Sequence, residues 1–293
     1  MRWTPGAGKS RDLEDRRGQS RGVRMGGGGI RLGLGGALVL LVLSLVFQRD
    51  FFSLLGGGVN TGPVADTSGG AVGPIVSSPA EDSLVQFVSY VLDDNQSTWE
   101  KVLPASLGVP YHHATLVLYR DITETGCGVG EATTGPFYCP TDHKLYVDLG
   151  FYDELRQRFG APGDFAQAYV LAHELGHHVQ SLTGTDREVR GAMQANPGQA
   201  NALSVRVELQ ADCYAGVWGH SAAERDLLEA GDLREGMTAA AAVGDDRLQR
   251  MATGEVHADA FTHGTSAQRT EWFRRGFDSG DPKSCDTFGV AVE

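Results

Sequence analysis

None of the four cysteines, Cys127, Cys139, Cys213 and Cys285, belongs to a C-x-x-C pair, which excludes a four-cysteine zinc site. Basic residues are scarce after residue 31. Residues 1–31 hold eight Lys/Arg against three Asp/Glu, a balance of +5, and the remaining chain carries −17. A body this acidic lacks the surface that attracts phosphate backbones, so no nucleic-acid partner is expected. Residues 56–80 lack both charge, with Asp66 alone, and any sustained helical or strand period, and read as a flexible linker. Gly8-Lys9-Ser10 lacks the first glycine of a phosphate-binding loop: Trp3 stands in its place and no strand precedes it.

An uncharged stretch of Leu, Val, Gly and Ala runs from Leu32 to Phe47, extended by Ile30 and by Phe51-Phe52, and is just long enough to span a bilayer. Arginines at 16, 17, 21, 24 and 31 precede it, which by the positive-inside rule keeps the N-terminus inside. The division read from this is a basic cytoplasmic tail (1–31), a single transmembrane anchor (32–55), the linker (56–80) and one domain (81–293) outside the cytoplasmic membrane. A cleaved signal peptide would need a small-x-small site after the apolar run, and none stands clearly there. Either reading exports the domain. An even number of cysteines, all beyond the anchor, suggests disulfides in that compartment. Three pairings are possible. Cys127 and Cys139 flank a Gly/Pro-rich loop, which favours a local bridge and leaves Cys213 to tie a helix to the tail at Cys285.

The run from Val170 to Gln180 contains His173-Glu174-Leu175-Gly176-His177, an HExxH zinc signature. Two histidines four apart share one helix face, where both rings reach a single ion, and Glu174 between them is placed to take a proton from water. The surroundings predict the helix. Leu171, Leu175, Val179 and Leu182 form an apolar stripe with His178 among them, and Ala166, Tyr169, Val170, His173, His177 and Gln180 form the neighbouring face. Asp164 can cap the start and Gly184 can end it. His178, on the stripe, reads as a hydrogen-bonded core histidine.

Zinc in a hydrolase needs a third protein ligand and leaves one position for water. Glu208 offers it on a second helix, Val205 to Trp218, and Asp212 one turn on can accept the outer N–H of a ligating histidine. The polar stretch between His178 and Ser204 is long enough to return the chain, and Gly176 would let the two helices approach closely. Two imidazoles and one carboxylate leave the metal centre at +1, with one zinc per chain.

With HELGHH, ELQADCYAGVW, Gly244-Asp245-Asp246, Phe261 to Arg269, Thr125-Gly126-Cys127-Gly128 and Gly135 to Pro140 in view, the chain resembles the bacterial neutral zinc metallopeptidase family from about Glu81 to Phe288. The resemblance implies a zincin-like fold with a membrane anchor, zinc on His173, His177 and Glu208, and Asp212 supporting a histidine. The fold class read from the whole is α+β, mainly helical after residue 150, behind one N-terminal transmembrane helix. The function read is peptide-bond hydrolysis with Glu174 as general base, on a peptide or protein substrate, with the membrane as the second partner. Hydrolysis of a non-peptide amide or ester, and a non-catalytic zinc-binding scaffold, are the alternatives.

A peptidase also needs a donor for the oxyanion. His263 is the first choice, because Thr265-Ser266-Ala267-Gln268 predicts a capping box that would hold it on an ordered rim, and Tyr169 is the second. Asp245-Asp246 reads as a helix cap. Trp99, Trp218 and Trp272 are core candidates, and the alternation from His143 to Leu149 predicts a strand that could offer an open edge to a peptide.

Overall fold

In the computed structural model, residues 1–4, 8–19, 75 and 77–289 are described. A four-stranded sheet runs in the order β1 (Leu13–Asp15), β2 (Thr115–Tyr119), β6 (Lys144–Asp148) and β5 (Phe137–Cys139). The first three are parallel and β5 is antiparallel to β6. A separate hairpin pairs β3 (Ile122–Thr125) with β4 (Gly128–Glu131). Side chains of the sheet alternate as the pleat requires. Leu116, Leu118, Leu145 and Val147 enter the main core, whereas Val117, Tyr119 and Tyr146 enter a small core on the other face.

Helix α1 (Pro79–Leu107) precedes the sheet strands from β2 on, a long helix before residue 150 that the sequence reading did not anticipate. Its ends carry ordinary signals: Ser78 accepts from the Glu81 N–H, proline opens the helix and Gly108 closes it at φ 68°. After α2 (Gly150–Gln157), helix α3 (Asp164–Thr183) forms the centre of the helical layer. Phe165, Leu171, Leu175 and Val179 on it are fully buried. Gly184 ends it at φ 84°, as expected. Its cap is Gly163, not Asp164; Asp164 lies in the first turn and accepts from the Met1 ammonium at 2.6 Å. The polar return stretch is itself helical, α4 (Thr185–Ala195). Helix α5 (Ala200–Glu224) then comes back beside α3, and α6 (Asp232–Ala242), α7 (Asp245–Thr253) and α8 (Ser266–Ser279) complete the layer.

Close helix approach depends on glycine. A Cβ on Gly176 would lie 2.9 Å from the Ala211 carbonyl oxygen, and one on Gly276 would lie 1.9 Å from that of Cys213. Thus α3 and α8 both press backbone against α5 where a side chain cannot fit. Trp99, Trp218 and Trp272 are buried, and disulfides join Cys127 to Cys139 and Cys213 to Cys285, the pairing favoured from spacing.

The N-terminal region departs from the sequence reading. Leu13, Glu14 and Asp15 pair with Leu116, Val117 and Leu118, so residues expected in a cytoplasmic tail are hydrogen-bonded into the same sheet as residues 115–148. The Arg17 side chain, 1 % exposed, binds both oxygens of Asp15 at 2.8 and 2.7 Å and reaches Glu81 at 2.8 Å, while Arg16 pairs with Glu14 at 2.7 Å. These arginines hold the strand in place instead of marking a membrane face. A segment built into the sheet cannot lie across a bilayer from it, which overturns the single-pass arrangement and the extracytoplasmic placement drawn from it. No helix among the described residues is long and apolar enough to cross a membrane. The proposed anchor, 32–55, lies outside the described residues, as does nearly all of the linker, 56–80, and the end of the chain from 290 to 293.

Arg17→Ala should destabilise the folded chain by about 3 kcal/mol, because it leaves Asp15 and Glu81 without their partner in a largely buried setting. Urea unfolding checks this; an unchanged midpoint would mean that the N-terminal residues are a free tail.

Candidate metal centre

Helix periodicity puts His173 and His177 on one face of α3 with ring centroids 4.8 Å apart, and Glu208 on the facing turn of α5. His173 Nε2 lies 3.2 Å from Glu208 Oε2 and His177 Nε2 lies 3.6 Å from Glu208 Oε1. One donor atom from each of the three lies within 4.8 Å of the others. Tetrahedral zinc with ligands at 2.0–2.2 Å would space its donors about 3.3–3.6 Å apart; the donor set matches in chemistry, and the two histidine–carboxylate separations, each to a different oxygen of Glu208, are close to that range. Glu174 is not one of these three; its side chain is 7 % exposed and burial raises its pKa against the opposing pull of the two histidines.

Behind His173 stands a fully buried charged network. His173 Nδ1 donates to Asp212 Oδ1 at 2.9 Å, which turns Nε2 to the side of Glu208. Arg269 from α8 grips both oxygens of Asp212 at 2.8 and 3.0 Å, and the Tyr169 hydroxyl donates to the same carboxylate. Burial would raise the Asp212 pKa, but Arg269 and His173 outweigh it and keep the group anionic. The same burial raises the Tyr169 pKa well above its ordinary value and keeps it a neutral donor. Tyr169, second choice for the oxyanion, is therefore committed to Asp212.

His263 sits on the loop between α7 and α8, half-exposed. The expected capping box is present, with Thr265 and Gln268 bonded reciprocally. Asp245 holds the loop: its Oδ2 accepts from the backbone N–H groups of Thr262, His263 and Gly264, and its Oδ1 lies 3.2 Å from His263 Nδ1. Burial opposes charge on His263, but Asp245 and then Glu208 overcome it and raise the pKa. His178 is 1 % exposed, donates from Nε2 to the His112 carbonyl at 2.6 Å and accepts at Nδ1 from the Tyr138 hydroxyl at 3.0 Å, so it ties α3 to β5 as a core histidine. Its pKa is pushed down to about 4 by burial.

The sequence model of the family described as "Putative neutral zinc metallopeptidase" matches residues 1–288. The chain belongs to that family. It is 49% identical over the full length of both chains to "Uncharacterized protein YpfJ" of Escherichia coli K12. Two mycobacterial proteins, "Uncharacterized protein Mb2605" of Mycobacterium bovis and "Uncharacterized protein Rv2575" of Mycobacterium tuberculosis, are 42% identical over 67% of each chain. No solved structure matches. The zinc metallopeptidase family match begins at residue 1, not near Glu81, so β1 belongs to what the family shares.

Two elements of this site escaped the sequence reading. Arg269 closes a motif but looks like a surface charge on a helix, directly after the capping-box residue Gln268, and nothing local marks it as buried. The expected open edge was also misplaced: the strand predicted at 143–149 is β6, paired on both sides, and the end of the sheet is β5, which packs on α3.

Burial opposes a charge on His173, yet Asp212 and the bond to Glu208 carry its pKa from 6.5 up to about 10. A raised histidine pKa contributes stability that is complete below the unfolded value and is lost as pH rises through the folded one. In protein stripped of metal, the unfolding midpoint should fall between about pH 7 and pH 10 more steeply than in its His173→Gln variant. Parallel profiles would mean that His173 does not hold the proton.

Proposed function

We propose that this protein is a zinc-dependent peptidase that cleaves peptide bonds with a water molecule, holding one zinc per chain on His173, His177 and Glu208. The observation that carries the reading is the convergence of those three donors within 4.8 Å, beside a buried carboxylate that is not one of them. A site that only stabilised the fold would fill its fourth position from the protein and would have no use for such a group. Zinc, when bound, supplies the Lewis acidity that polarises the scissile carbonyl and makes a water deprotonate near neutral pH.

The remaining chemistry belongs to side chains. Glu174 receives the proton of the attacking water and passes it to the leaving amine; its buried setting keeps the carboxyl basic enough for both transfers. His263, held by Asp245, donates to the oxygen that gains charge as the carbonyl is attacked. Asp212 fixes the tautomer of His173, and Arg269 and Tyr169 fix Asp212. An extended peptide would add to the free side of β5, the terminal strand beside the zinc-bearing helix, through main-chain hydrogen bonds that suit any sequence.

Glu174→Gln should retain zinc and lose hydrolysis of a mixed peptide library by about 100-fold or more, read by mass spectrometry of the products. Full cleavage by that variant would remove Glu174 from the mechanism, and a zinc-loaded wild-type chain that cleaves no peptide would overturn the peptidase reading. His263→Ala should lower kcat by about 100-fold with little change in KM, since the donor is needed only once charge has developed. Equal loss in both constants would make it a substrate-binding residue.

A further inference from the structure

His173 owes its orientation to Asp212, but the second histidine has no carboxylate behind it. His177 Nδ1 instead lies 2.8 Å from Gln180 Oε1, one turn along α3, and Gln180 is 1 % exposed. An amide can present either end to a ring, and the other end decides which. Gln180 Nε2 lies 2.7 Å from the Val207 carbonyl oxygen and 3.0 Å from Gln210 Oε1. A main-chain carbonyl can only accept, so the amino group of Gln180 faces Val207 and its oxygen faces His177. That oxygen can only accept as well. Nδ1 is thereby offered an acceptor for its hydrogen, and Nε2 is the ring atom turned toward Glu208, 3.6 Å away, where a cation between the two would take its lone pair.

Gln210 is set by the same logic. Its Nε2 donates to the Cys285 carbonyl oxygen at 3.1 Å, so its own oxygen is turned to Gln180. Donation runs in one direction, from His177 through two buried amides to a carbonyl whose residue is tied to α5 by the Cys213–Cys285 disulfide. Reversing either amide would set two acceptors or two donors face to face in a site closed to water.

We propose that Gln180 is a positioning residue for His177: it fixes the imidazole tautomer that leaves Nε2 free for a metal, with its amide locked by Val207 and Gln210. The inference rests on the zinc reading for its purpose, since without a cation the Glu208 carboxylate faces Nε2 and competes with Gln180 for the ring hydrogen. A neutral amide orients the ring without adding charge, whereas Asp212 brings a charge that Arg269 must balance. The two histidines are thus oriented by different means, and only His173 draws on an ion pair.

The test uses the full chain with Gln180→Ala and Gln180→Glu. Ring ¹⁵N shifts of His177 report the tautomer in metal-free protein carrying Glu208→Ala, where no carboxylate faces Nε2, and competition with a chelating dye reports zinc affinity in the chain that keeps Glu208. Gln180→Ala should mix the two tautomers and weaken zinc by about 10–100-fold. Gln180→Glu still accepts from Nδ1 but cannot donate to Val207, so it should keep the tautomer and hold zinc within about threefold of wild type while lowering the unfolding midpoint. Loss of zinc by Gln180→Glu as severe as by Gln180→Ala would reduce Gln180 to a bridge between helices and overturn the proposal. An unchanged tautomer in Gln180→Ala would overturn it as well. If the wild-type chain takes up no zinc, the zinc reading fails, and the ring shifts of Glu208→Ala with and without Gln180→Ala decide the present inference without it.

Discussion

A carboxylate with no exposure to water, Asp212, is the constraint around which the helical layer is arranged. An ion in that position is tolerable only if every lone pair is engaged and an opposite charge is close. Three helices meet that demand together: α3 supplies Tyr169 and His173, α8 supplies Arg269, and α5 carries the carboxylate itself. Their crossing must be tight for these short bonds to form, and the glycines at 176 and 276 make it so. The metal-directed atoms are then placed almost as a by-product, because orienting His173 from behind and fixing α3 against α5 leaves Glu208 facing both imidazoles.

Electrostatic roles divide along α3. His173 lies in the charged half of the site, between Asp212 and Glu208, with Arg269 compensating. His177 lies in the amide half, where no group behind it titrates. Such a division limits how much negative charge gathers round the zinc-directed atoms and keeps Glu174, buried between the two, from competing with a second carboxylate behind His177.

Features that repeat along one helix were legible in the sequence. The histidine pair, Glu208 with Asp212, the stop at Gly184, the close approach at Gly176 and the capping box before Gln268 all follow from a 3.6-residue period and from what zinc accepts as ligands. What escaped detection depended on distant partners. Leu13–Asp15 is three residues long and has no alternation to recognise, and its arginine neighbours carry the same signature whether they face a membrane or a carboxylate. Arg269 is charged, and a charged residue on an amphipathic helix is read as solvated until the carboxylate that buries it is known. The Thr185–Ala195 helix was hidden by its polarity, with Val189 as its only buried residue. That β6 is internal could not be seen without knowing which strands flank it.

Strand β1 also sets an order of events in folding. Leu13–Asp15 leaves the ribosome about a hundred residues ahead of Leu116–Leu118, to which it pairs in parallel. Until β2 has been made, the early strand has no partner in the sheet, and its pairing must then close one of the longest loops in the chain. The row of backbone donors and acceptors left unpaired through that stage of synthesis is therefore that of β1 itself. Once paired, β1 covers the side of β2 that β6 does not, and so closes an edge to which another copy could otherwise add.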